Sequence, residues 1–245
     1  MNLPLLSIVI PAFNEEQRLE KSLKALHGYF HDQGLPVELI LVEDGSTDAT
    51  AAIARQTAAH IPEMQFLLLQ NSRNLGKGLS VRRGMLKAQG EYTLLTDADL
   101  STPIEEFQKL FHALNTEPAH IAIGSRDLPD SDVQIRQSQM RERSGKVFNL
   151  LVRLLFGMSF RDTQCGFKIF KTEACRNLFA KQSVSRFSFD VEILLMAREA
   201  GLGIVEVPVV WRHDQGSRVR FVRDGSRMIL DLGRIALKYW SGSYR

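Results

Sequence analysis

Apolar runs and segments of helical periodicity alternate through the first hundred residues. Short runs of the kind that form buried strands lie at residues 5–10, 37–42, 65–70 and 92–96. Helical patterns lie at residues 14–26, 48–60 and 78–89, and a further helix is predicted from residue 102 onward. Buried strands that alternate with helices are typical of a doubly wound sheet. The pattern therefore predicts an α/β fold with a mostly parallel central sheet flanked by helices.

Two helix starts are indicated by capping patterns. Asn14 precedes Gln17 by three residues, which is a capping-box arrangement. Thr102 is followed by Pro103 and Glu105, which predicts Thr102 as the N-cap of the next helix.

The second half of the chain has a less regular pattern. Strands are predicted at residues 121–123, 166–170 and 203–211, and residues 145–160 are strongly apolar. This apolar segment is shorter than the roughly 20 residues that a membrane-spanning helix needs. A C-terminal amphipathic helix is predicted, with a stripe formed by Arg227, Asp231, Arg234 and Lys238. Because no linker is evident, we expect a single domain over 1–245, with halves at 1–126 and 127–245.

The charge of the chain is unevenly distributed. Of its 245 residues 44% are hydrophobic and 24% are charged, and the formal net charge is +3. Residues 1–100 carry 9 Lys+Arg and 12 Asp+Glu, so the remaining residues carry 22 and 16, an excess of six positive charges. A basic half favours a partner with phosphate groups or a lipid headgroup, although a solvated basic face is the simpler alternative.

Cysteine usage and the N-terminus bear on the compartment. Cys165 and Cys175 do not form a C-x-x-C pair, which argues against a structural zinc site. The first residues have no basic region and no cleavage site of a signal peptide. We therefore expect a reduced cytoplasmic setting.

Acidic residues follow three of the predicted strands. Glu15 follows the first, Glu43 and Asp44 the second, and Asp97 and Asp99 the fourth. Ligands of doubly wound sheets bind at the carboxyl ends of the strands, where these acids would meet. Two carboxylates there could share Mg²⁺ or Mn²⁺ that also binds substrate phosphates. Taken alone, the pair is better explained by an acidic turn, and the case for a metal rests on the other acidic strand ends that would meet it.

Other nucleotide and nucleophile motifs are missing from the sequence. No G-x-G-x-x-G follows the first strand, and "NLGKGLSVRRG" does not match the P-loop pattern. No G-x-S-x-G motif for a serine hydrolase is present.

Several motifs in their order resemble those of the family-2 glycosyltransferases of the GT-A fold. They are "SIVIPAFNEE", "ELILVEDGSTDAT", "NLGKGLSVRRGMLKAQGEY", "TDADLSTP" and "GSR". In the second half, "RDTQCGFKIF", "RFSFDVEIL" and "VEVPVVW" resemble the dolichyl-phosphate β-glucosyltransferase branch, related to polyprenyl-phosphate glycosyltransferases. The resemblance covers nearly the whole chain and implies a Rossmann-like GT-A fold.

The resemblance implies a role for individual residues. Donor binding is implied for Pro11, Phe13, Glu15, Val42, Glu43, Asp44, Asp97 and Ala98, and metal binding for Asp97 and Asp99. Catalytic roles are implied for Asp99, Arg126, Arg212 and Arg218, and an acceptor-side position for Asp190 and Glu192. Independently of the resemblance, we expect Arg141, one of the arginines before the apolar segment, to contact the acceptor phosphate. The first acid of the second motif is Glu43 where the family commonly has Asp.

The resemblance also implies the reaction. A hexose, with glucose favoured, would pass from a nucleoside-diphosphate sugar to a polyprenyl phosphate (dolichyl or undecaprenyl) with inversion, aided by Mg²⁺ or Mn²⁺. UDP-glucose is the favoured donor and GDP-mannose the second, and a saccharide acceptor is an alternative. A non-catalytic basic binding module is a further alternative. The sequence shows no basic segment with interleaved aromatic residues, the pattern that would indicate nucleic-acid binding, so we expect no nucleic-acid partner.

A membrane surface is the remaining partner that the sequence suggests. Arg136, Arg141 and Arg143 precede the apolar segment 147–160, and this segment and the C-terminal helix could lie on a membrane. The alternative is that both helices pack into the core or into a homodimer. We expect peripheral association with the cytoplasmic face of a membrane.

Overall fold

The computed structural model describes residues 4–61, 64–135, 139–212 and 221–244, with the side chains of Gln139, Arg141 and residues 221–223 outside the described part. The strands are β1 (Leu6–Ala12), β2 (Val37–Glu43), β3 (Gln65–Gln70), β4 (Tyr92–Leu95), β5 (Ile121–Ser125), β6 (Asp132–Ile135), β7 (Lys168–Lys171), β8 (Ile204–Pro208) and β9 (Val210–Arg212). The helices are α1 (Leu19–Asp32), α2 (Thr50–His60), α3 (Lys77–Met85), α4 (Phe107–Thr116), α5 (Gln139–Phe156), α6 (Thr172–Lys181), α7 (Phe189–Glu199) and α8 (Phe221–Trp240).

Seven strands form the central sheet in the order β3-β2-β1-β4-β7-β5-β8. All neighbouring strands are parallel except at β7, which is antiparallel to both β4 and β5. Strands β6 and β9 form a separate parallel pair. The predicted α/β fold with a mostly parallel central sheet is confirmed.

Alternate residues of the central strands point into hydrophobic cores on the two sides of the sheet. Val9 and Ile40 belong to the core that includes side chains of α3 and α7, whereas Ile8 and Leu39 belong to the core that includes α1 and α4. Successive side chains of a strand point to opposite faces, so strands buried on both sides must be apolar throughout. This is why the strands are evident in the sequence.

Both predicted helix caps are wrong. Helix α1 begins at Leu19, because Asn14 has a φ of 57° and its side-chain oxygen accepts a hydrogen bond from Thr47 N instead. Thr102 does not cap the helix that follows, because its hydroxyl lies against the buried Cys165 sulfur and a short 3-10 turn, Ile104–Glu106, precedes α4.

Other predicted elements also differ from the structure. The predicted strand 203–211 is two strands in different sheets, because Val209 separates β8, which ends at Pro208, from β9. Helices α6 and α7 were not predicted. Helix α7 is buried over most of its circumference, which removes the polar stripe that marks an amphipathic helix.

Helices α5 and α8 contact each other and have both buried and exposed apolar faces. Val152 and Phe156 of α5 and Ile235 of α8 are buried in the core. Among the exposed large hydrophobic side chains in the described ranges, all but Leu67 and Ile135 lie on α5 or α8. Those of α5 are Met140, Val147, Leu150 and Leu154, and those of α8 are Ile229, Leu230, Leu237 and Trp240. Within the part of the chain that is described, neither of these helices nor any other is long and apolar enough to cross a bilayer.

Candidate active site

The loops that follow β1, β2 and β4 surround a cavity of about 470 Å³ at the carboxyl ends of these strands. Most of the predicted donor-binding residues line it, namely Pro11, Phe13, Glu15, Asp44, Asp97 and Ala98, together with Asp99. These residues come from separate motifs, and the order of strands β2-β1-β4 brings them together. We refer to this space as the donor cavity.

Asp97 is paired with a lysine that was not among the predicted site residues. Lys77 Nζ lies 2.5 Å from Asp97 Oδ1, and the two side chains are 21% and 37% exposed. Burial opposes ionisation of Asp97, but the ammonium group of Lys77 overcomes this effect and holds the pKa of Asp97 below its usual value. The pKa of Lys77 is correspondingly raised, mainly by Asp97 and also by Asp190, against the effect of burial.

Asp99 is in a less favourable environment for a charge. Burial and the neighbouring Asp97 raise the pKa of Asp99. Its carboxylate accepts a hydrogen bond from Ser101 N at 2.9 Å, and Arg18 Nη1 lies 3.7 Å from its Oδ2 atom. Asp99 is therefore the acid of the pair that gains most from an added cation.

Glu15 and Arg18 form an ion pair in the donor cavity, close to Asp99. Arg18 Nη2 lies 2.5 Å from Glu15 Oε2. Burial nevertheless raises the pKa of Glu15 to about 7, because its effect outweighs the opposing effect of Arg18, and the negative charges of Asp99 and Asp97 raise this pKa further.

Asp44 lines the donor cavity, but its carboxylate holds the loop that precedes α3. It accepts hydrogen bonds from Leu75 N at 2.9 Å, Gly76 N at 2.8 Å and Asn71 Nδ2 at 2.8 Å. Gly76 has a φ of 103°, a conformation that favours glycine. Asp44 therefore fixes the backbone immediately before Lys77.

Val42 and Glu43 are placed outside the lining of the donor cavity. Val42 is fully buried in the core, where it faces Gly84 of α3. Glu43 accepts a hydrogen bond from Ser46 N and so shapes the turn after β2. Their predicted contact with a donor therefore has no support in the lining of this cavity.

Sequence reasoning missed several residues of the donor cavity. Besides Lys77 they include Arg18, Asn74, Ser80, Arg186, Phe187, Asp224 and Arg227. The segment "NLGKG" was the available signal, since it follows β3 and includes the start of α3 at the same edge of the sheet. Arg186, Asp224 and Arg227 come from the second half of the chain and are brought here only by tertiary packing.

Arg126 lies beside a second cavity, between the end of β5 and α5. Its guanidinium forms two hydrogen bonds with Asp162, at 2.6 and 2.9 Å, and lies 5.4 Å from the centre of the Trp211 ring. Asp162 is 1% exposed, and Arg126 holds its pKa below the usual value in spite of burial. This second cavity is lined further by Lys146 and Asn149 of α5.

The remaining predicted cations are only partly described. Arg212, in β9, donates from Nε to Gln134 Oε1 at 2.7 Å, and its backbone N–H donates to Ser101 O at 2.8 Å. This backbone bond ties β9 to the loop that carries Asp99. Arg218 and Arg136 lie outside the described residues, as does the side chain of Arg141.

Asp190 and Glu192 of α7 are both committed to buried polar contacts. Lys168 Nζ donates to Asp190 Oδ1 at 2.6 Å, and the two side chains are 2% and 6% exposed. Glu192 accepts hydrogen bonds from Val184 N at 2.8 Å and from the Tyr244 hydroxyl at 3.0 Å. Glu192 thus holds the chain before α7 and the C-terminus, and neither acid lines the two cavities described above.

The two acids after β4 suit a hard divalent cation. A Cβ atom at Gly166 would lie 2.0 Å from Asp97 Oδ2, so only glycine leaves space around this carboxylate. Within the described residues no third His, Cys, Asp or Glu side chain completes a metal-binding group. Asp97 and Asp99 would hold Mg²⁺ or Mn²⁺ with water and substrate oxygens as further ligands, as is common for Mg²⁺.

The family is established by comparison with known proteins. The family described as Glycosyl transferase family 2 matches residues 7–179, which include the acids after β1, β2 and β4. The chain belongs to glycosyltransferase family 2.

Family-2 relatives resemble the chain over almost its whole length. A protein of Drosophila melanogaster named dolichyl-phosphate beta-glucosyltransferase is 37% identical over 98% of this chain and 77% of its own length. Proteins of the same name from Dictyostelium discoideum and Homo sapiens are each 33% identical, over 98% of this chain and over 76% and 77% of their own lengths. The resemblance to this branch is confirmed.

Solved structures show the same GT-A fold. Glucosyl-3-phosphoglycerate synthase from Mycobacterium tuberculosis, in complex with Mn²⁺, UDP and glucosyl-3-phosphoglycerate, superposes with a TM-score of 0.72. The superposition covers 95% of this chain and 80% of the synthase, at 19% sequence identity. The predicted GT-A fold is therefore confirmed.

Proposed function

We propose that this protein transfers glucose from UDP-glucose to a polyprenyl monophosphate. The observation that carries the proposal is the match, over 98% of the chain, to relatives named dolichyl-phosphate beta-glucosyltransferase. UDP-glucose is favoured as donor because a structural neighbour was solved with Mn²⁺ and UDP-glucose. GDP-mannose is the second candidate donor.

The donor cavity supplies charges of both signs for a nucleoside diphosphate. Asp97 and Asp99 would hold Mg²⁺ or Mn²⁺, which when bound neutralises charge on the departing diphosphate. Arg18, Lys77 and Arg227 line the same cavity and would contact phosphate oxygens. Residues 1–126 would thus bind most of the donor within a single domain, with Arg186 and α8 of the acceptor half closing the cavity.

The acceptor would react without a protein base. The second pKa of a phosphate monoester is about 6, so a polyprenyl phosphate is largely dianionic at neutral pH and already nucleophilic. Asp190, which stands where a base would be expected for a hydroxyl acceptor, is held by Lys168 in a buried ion pair. In-line attack of a phosphate oxygen on the anomeric carbon would break its bond to the diphosphate and give a β-linked lipid phosphosugar.

We assign the acceptor phosphate to the second cavity. Arg126 and Lys146 line it, and Arg126 is close enough to Asp97 to affect its ionisation. Arg141 lies on α5, the helix that forms one wall of this cavity, and would contribute a further cation. Arg212 would act on the sugar or its phosphates, since β9 is bonded to the loop that carries Asp99. For Arg218 the same role is proposed from its motif alone.

The lipid substrate also suggests a place for the exposed apolar faces of α5 and α8. They would lie on the cytoplasmic face of a membrane, with exposed basic side chains such as Arg143 and Arg153 near the headgroups. The isoprenoid chain would then remain in the bilayer while its phosphate enters the second cavity.

The experiment is a matrix of labelled donors and lipid acceptors. UDP-glucose and GDP-mannose are each incubated with dolichyl phosphate, undecaprenyl phosphate or a saccharide, with Mg²⁺, Mn²⁺ or EDTA, and label in the lipid phase is counted. We expect transfer from UDP-glucose to the lipid phosphates, and loss of it with EDTA. Asp99→Asn should lose at least about 99% of this transfer while its circular dichroism stays that of the wild type.

Three outcomes would change the proposal. Label carried only from GDP-mannose would indicate a mannosyltransferase, and label found only in the saccharide would replace the lipid acceptor. Unchanged transfer by Asp99→Asn or in EDTA would contradict the assignment of the metal to the two acids. No transfer from either donor to any acceptor would favour a non-catalytic basic binding module.

A further inference from the structure

Four buried or half-buried charges of alternating sign lead from the interior to the donor cavity. Lys168 pairs with Asp190 at 2.6 Å, and Lys77 pairs with Asp97 at 2.5 Å. The two pairs interact, because Asp190 lies close enough to Lys77 to stabilise its positive charge. Asp190 therefore keeps a partner in Lys168 even when the side chain of Lys77 moves.

The backbone of Lys77 is fixed, whereas its side chain extends along the wall of the donor cavity. Asp44 binds the two backbone N–H groups immediately before Lys77. On the other side, a Cβ atom at Gly78 would lie 2.6 Å from Val184 O, so the chain is closely packed there. The Lys77 side chain itself is 21% exposed and lines the donor cavity.

The position of the Lys77 ammonium group conflicts with a metal ion on Asp97. A divalent cation that binds Asp97 Oδ1 would occupy the place where Lys77 Nζ now lies. A divalent ion and an ammonium group that both contact Asp97 Oδ1 would repel each other strongly in a partly buried site. The lysine must then leave Asp97, and it needs a new anionic partner.

We propose that Lys77 is an exchangeable counter-cation, which neutralises Asp97 in the free enzyme and moves to the diphosphate of the donor when a divalent ion binds. The inference rests on the proposed function, because it takes the divalent ion and the nucleoside diphosphate as ligands of the donor cavity. Lys77 then weakens binding of the metal alone and strengthens binding of the nucleotide with the metal. The exchange makes binding of the two ligands cooperative, and it avoids an unpaired Asp97 in the free enzyme.

The test compares Lys77→Met with the wild type and with Lys24→Met, a control that removes a lysine from an exposed ion pair on α1. Isothermal titration calorimetry measures the affinity for Mg²⁺ alone, and then for UDP in saturating Mg²⁺. We expect Lys77→Met to bind Mg²⁺ alone about tenfold more tightly than the wild type, since no ammonium group competes for Asp97. It should bind UDP with Mg²⁺ about tenfold more weakly, since the contact between Lys77 and the diphosphate is lost. Lys24→Met should match the wild type. If Lys77→Met binds Mg²⁺ no more tightly than the wild type, the exchange is wrong.

A second measurement uses the wild-type protein and covers the case in which Lys77→Met does not fold. NMR of ¹⁵N-lysine-labelled enzyme follows the Lys77 Nζ resonance, assigned with Lys77→Arg. The resonance should shift when Mg²⁺ is added and shift again when UDP follows, and an unmoved resonance would overturn the proposal.

Failure of the exchange can be distinguished from failure of the proposed function. An enzyme that transfers glucose but shows an unmoved Lys77 resonance and equal Mg²⁺ affinities would keep its function and lose the exchange. An enzyme that transfers no glucose, but without Lys77 binds Mg²⁺ more tightly and UDP with Mg²⁺ more weakly, would keep the exchange and lose the proposed glucose transfer.

Discussion

Gly166 lies directly against Asp97, and a Cβ atom on Gly166 would be 2.0 Å from the Oδ2 atom of that carboxylate. The loop before β7 and the loop after β4 therefore meet at the candidate metal site. The contact explains why the segment "QCGF" needs glycine at its third position.

Gly166→Ala should displace the Asp97 carboxylate and so impair the site without changing a charged residue. We expect transfer to fall by about 100-fold or more, because small misplacements of catalytic groups have effects of this size. The measurement is glucose transfer to lipid phosphate at saturating Mg²⁺. Gly28→Ala in α1 is the matched control, since nothing lies within 4 Å of its added Cβ, and it should retain full activity. Equal activity of the two variants would contradict the close contact.

Arg126→Met should destabilise the fold as well as the proposed acceptor site. It leaves the carboxylate of Asp162, which is 1% exposed, without its bidentate partner. Breaking a buried ion pair in this way costs about 3–5 kcal/mol. The free energy of unfolding in urea is the measurement.

Arg234→Met is the control for Arg126→Met. The side chain of Arg234 is 75% exposed in its ion pair with Asp231, so we expect Arg234→Met to lower the free energy of unfolding by less than about 1 kcal/mol. Arg126→Met with unchanged stability would show that Asp162 finds another partner or is protonated. Activity of the variant is meaningful only below its own unfolding midpoint.

Glu15 should make the stability of the enzyme depend on pH. Its pKa is about 7 in the folded protein and 4.5 in the unfolded chain, so folding favours the protonated form. The resulting stabilisation is fully present below pH 4.5 and is lost as pH rises through about 7. Between pH 4.5 and 8 the free energy of unfolding of the wild type should therefore fall by about 1–2 kcal/mol relative to that of Glu15→Gln. The full pKa shift would give a larger change, but Glu15 is partly exposed to solvent, which weakens the effect.

The measurement is urea unfolding of both proteins across this pH range, without metal. Glu20→Gln on α1 is the control. Lys24 lowers the pKa of Glu20, so the stability of the wild type relative to Glu20→Gln should change with pH in the opposite direction. A stability difference between the wild type and Glu15→Gln that does not change with pH would argue against the raised pKa.

The exposed apolar face of α8 should determine binding to lipid vesicles. Leu230 and Leu237 are 64% and 69% exposed, and burying one leucine in a bilayer contributes about 1.5–3 kcal/mol. We expect Leu230→Gln with Leu237→Gln to lower the partition onto anionic vesicles at least about tenfold in a flotation assay. Leu67→Gln, an exposed position on the edge strand β3, should float like the wild type. Equal flotation of all three proteins would exclude α8 as the membrane contact.

The sequence was sufficient to predict the strands of the first half and the convergence of their acids. Buried strands such as β1 and β2 are continuous apolar runs, and Asp97 and Asp99 directly follow a strand. The reversed direction of β7 was not predicted, because strand direction depends on pairing between distant segments rather than on local pattern.

Charge pairing was also beyond the reach of the sequence pattern. Lys77 and Asp97 are 20 residues apart, and Arg126 and Asp162 are 36 residues apart, so neither pair follows from local spacing. Asp44 was predicted to bind the donor because of its motif, but its hydrogen bonds to Leu75 N and Gly76 N became evident only in three dimensions.

The single reversed strand, β7, adds a loop of a different kind to the edge of the sheet that carries the two cavities. Parallel strands β1, β2 and β4 contribute the loops that leave their carboxyl ends, whereas antiparallel β7 contributes at the same edge the loop that enters it, with Asp162 and Gly166. The edge of the sheet that carries both cavities thus combines loops that leave strands with one loop that enters a strand. A change of length or sequence in the entering loop would therefore move Asp162 and Gly166, and with them Arg126 and Asp97, while the strand order stays the same.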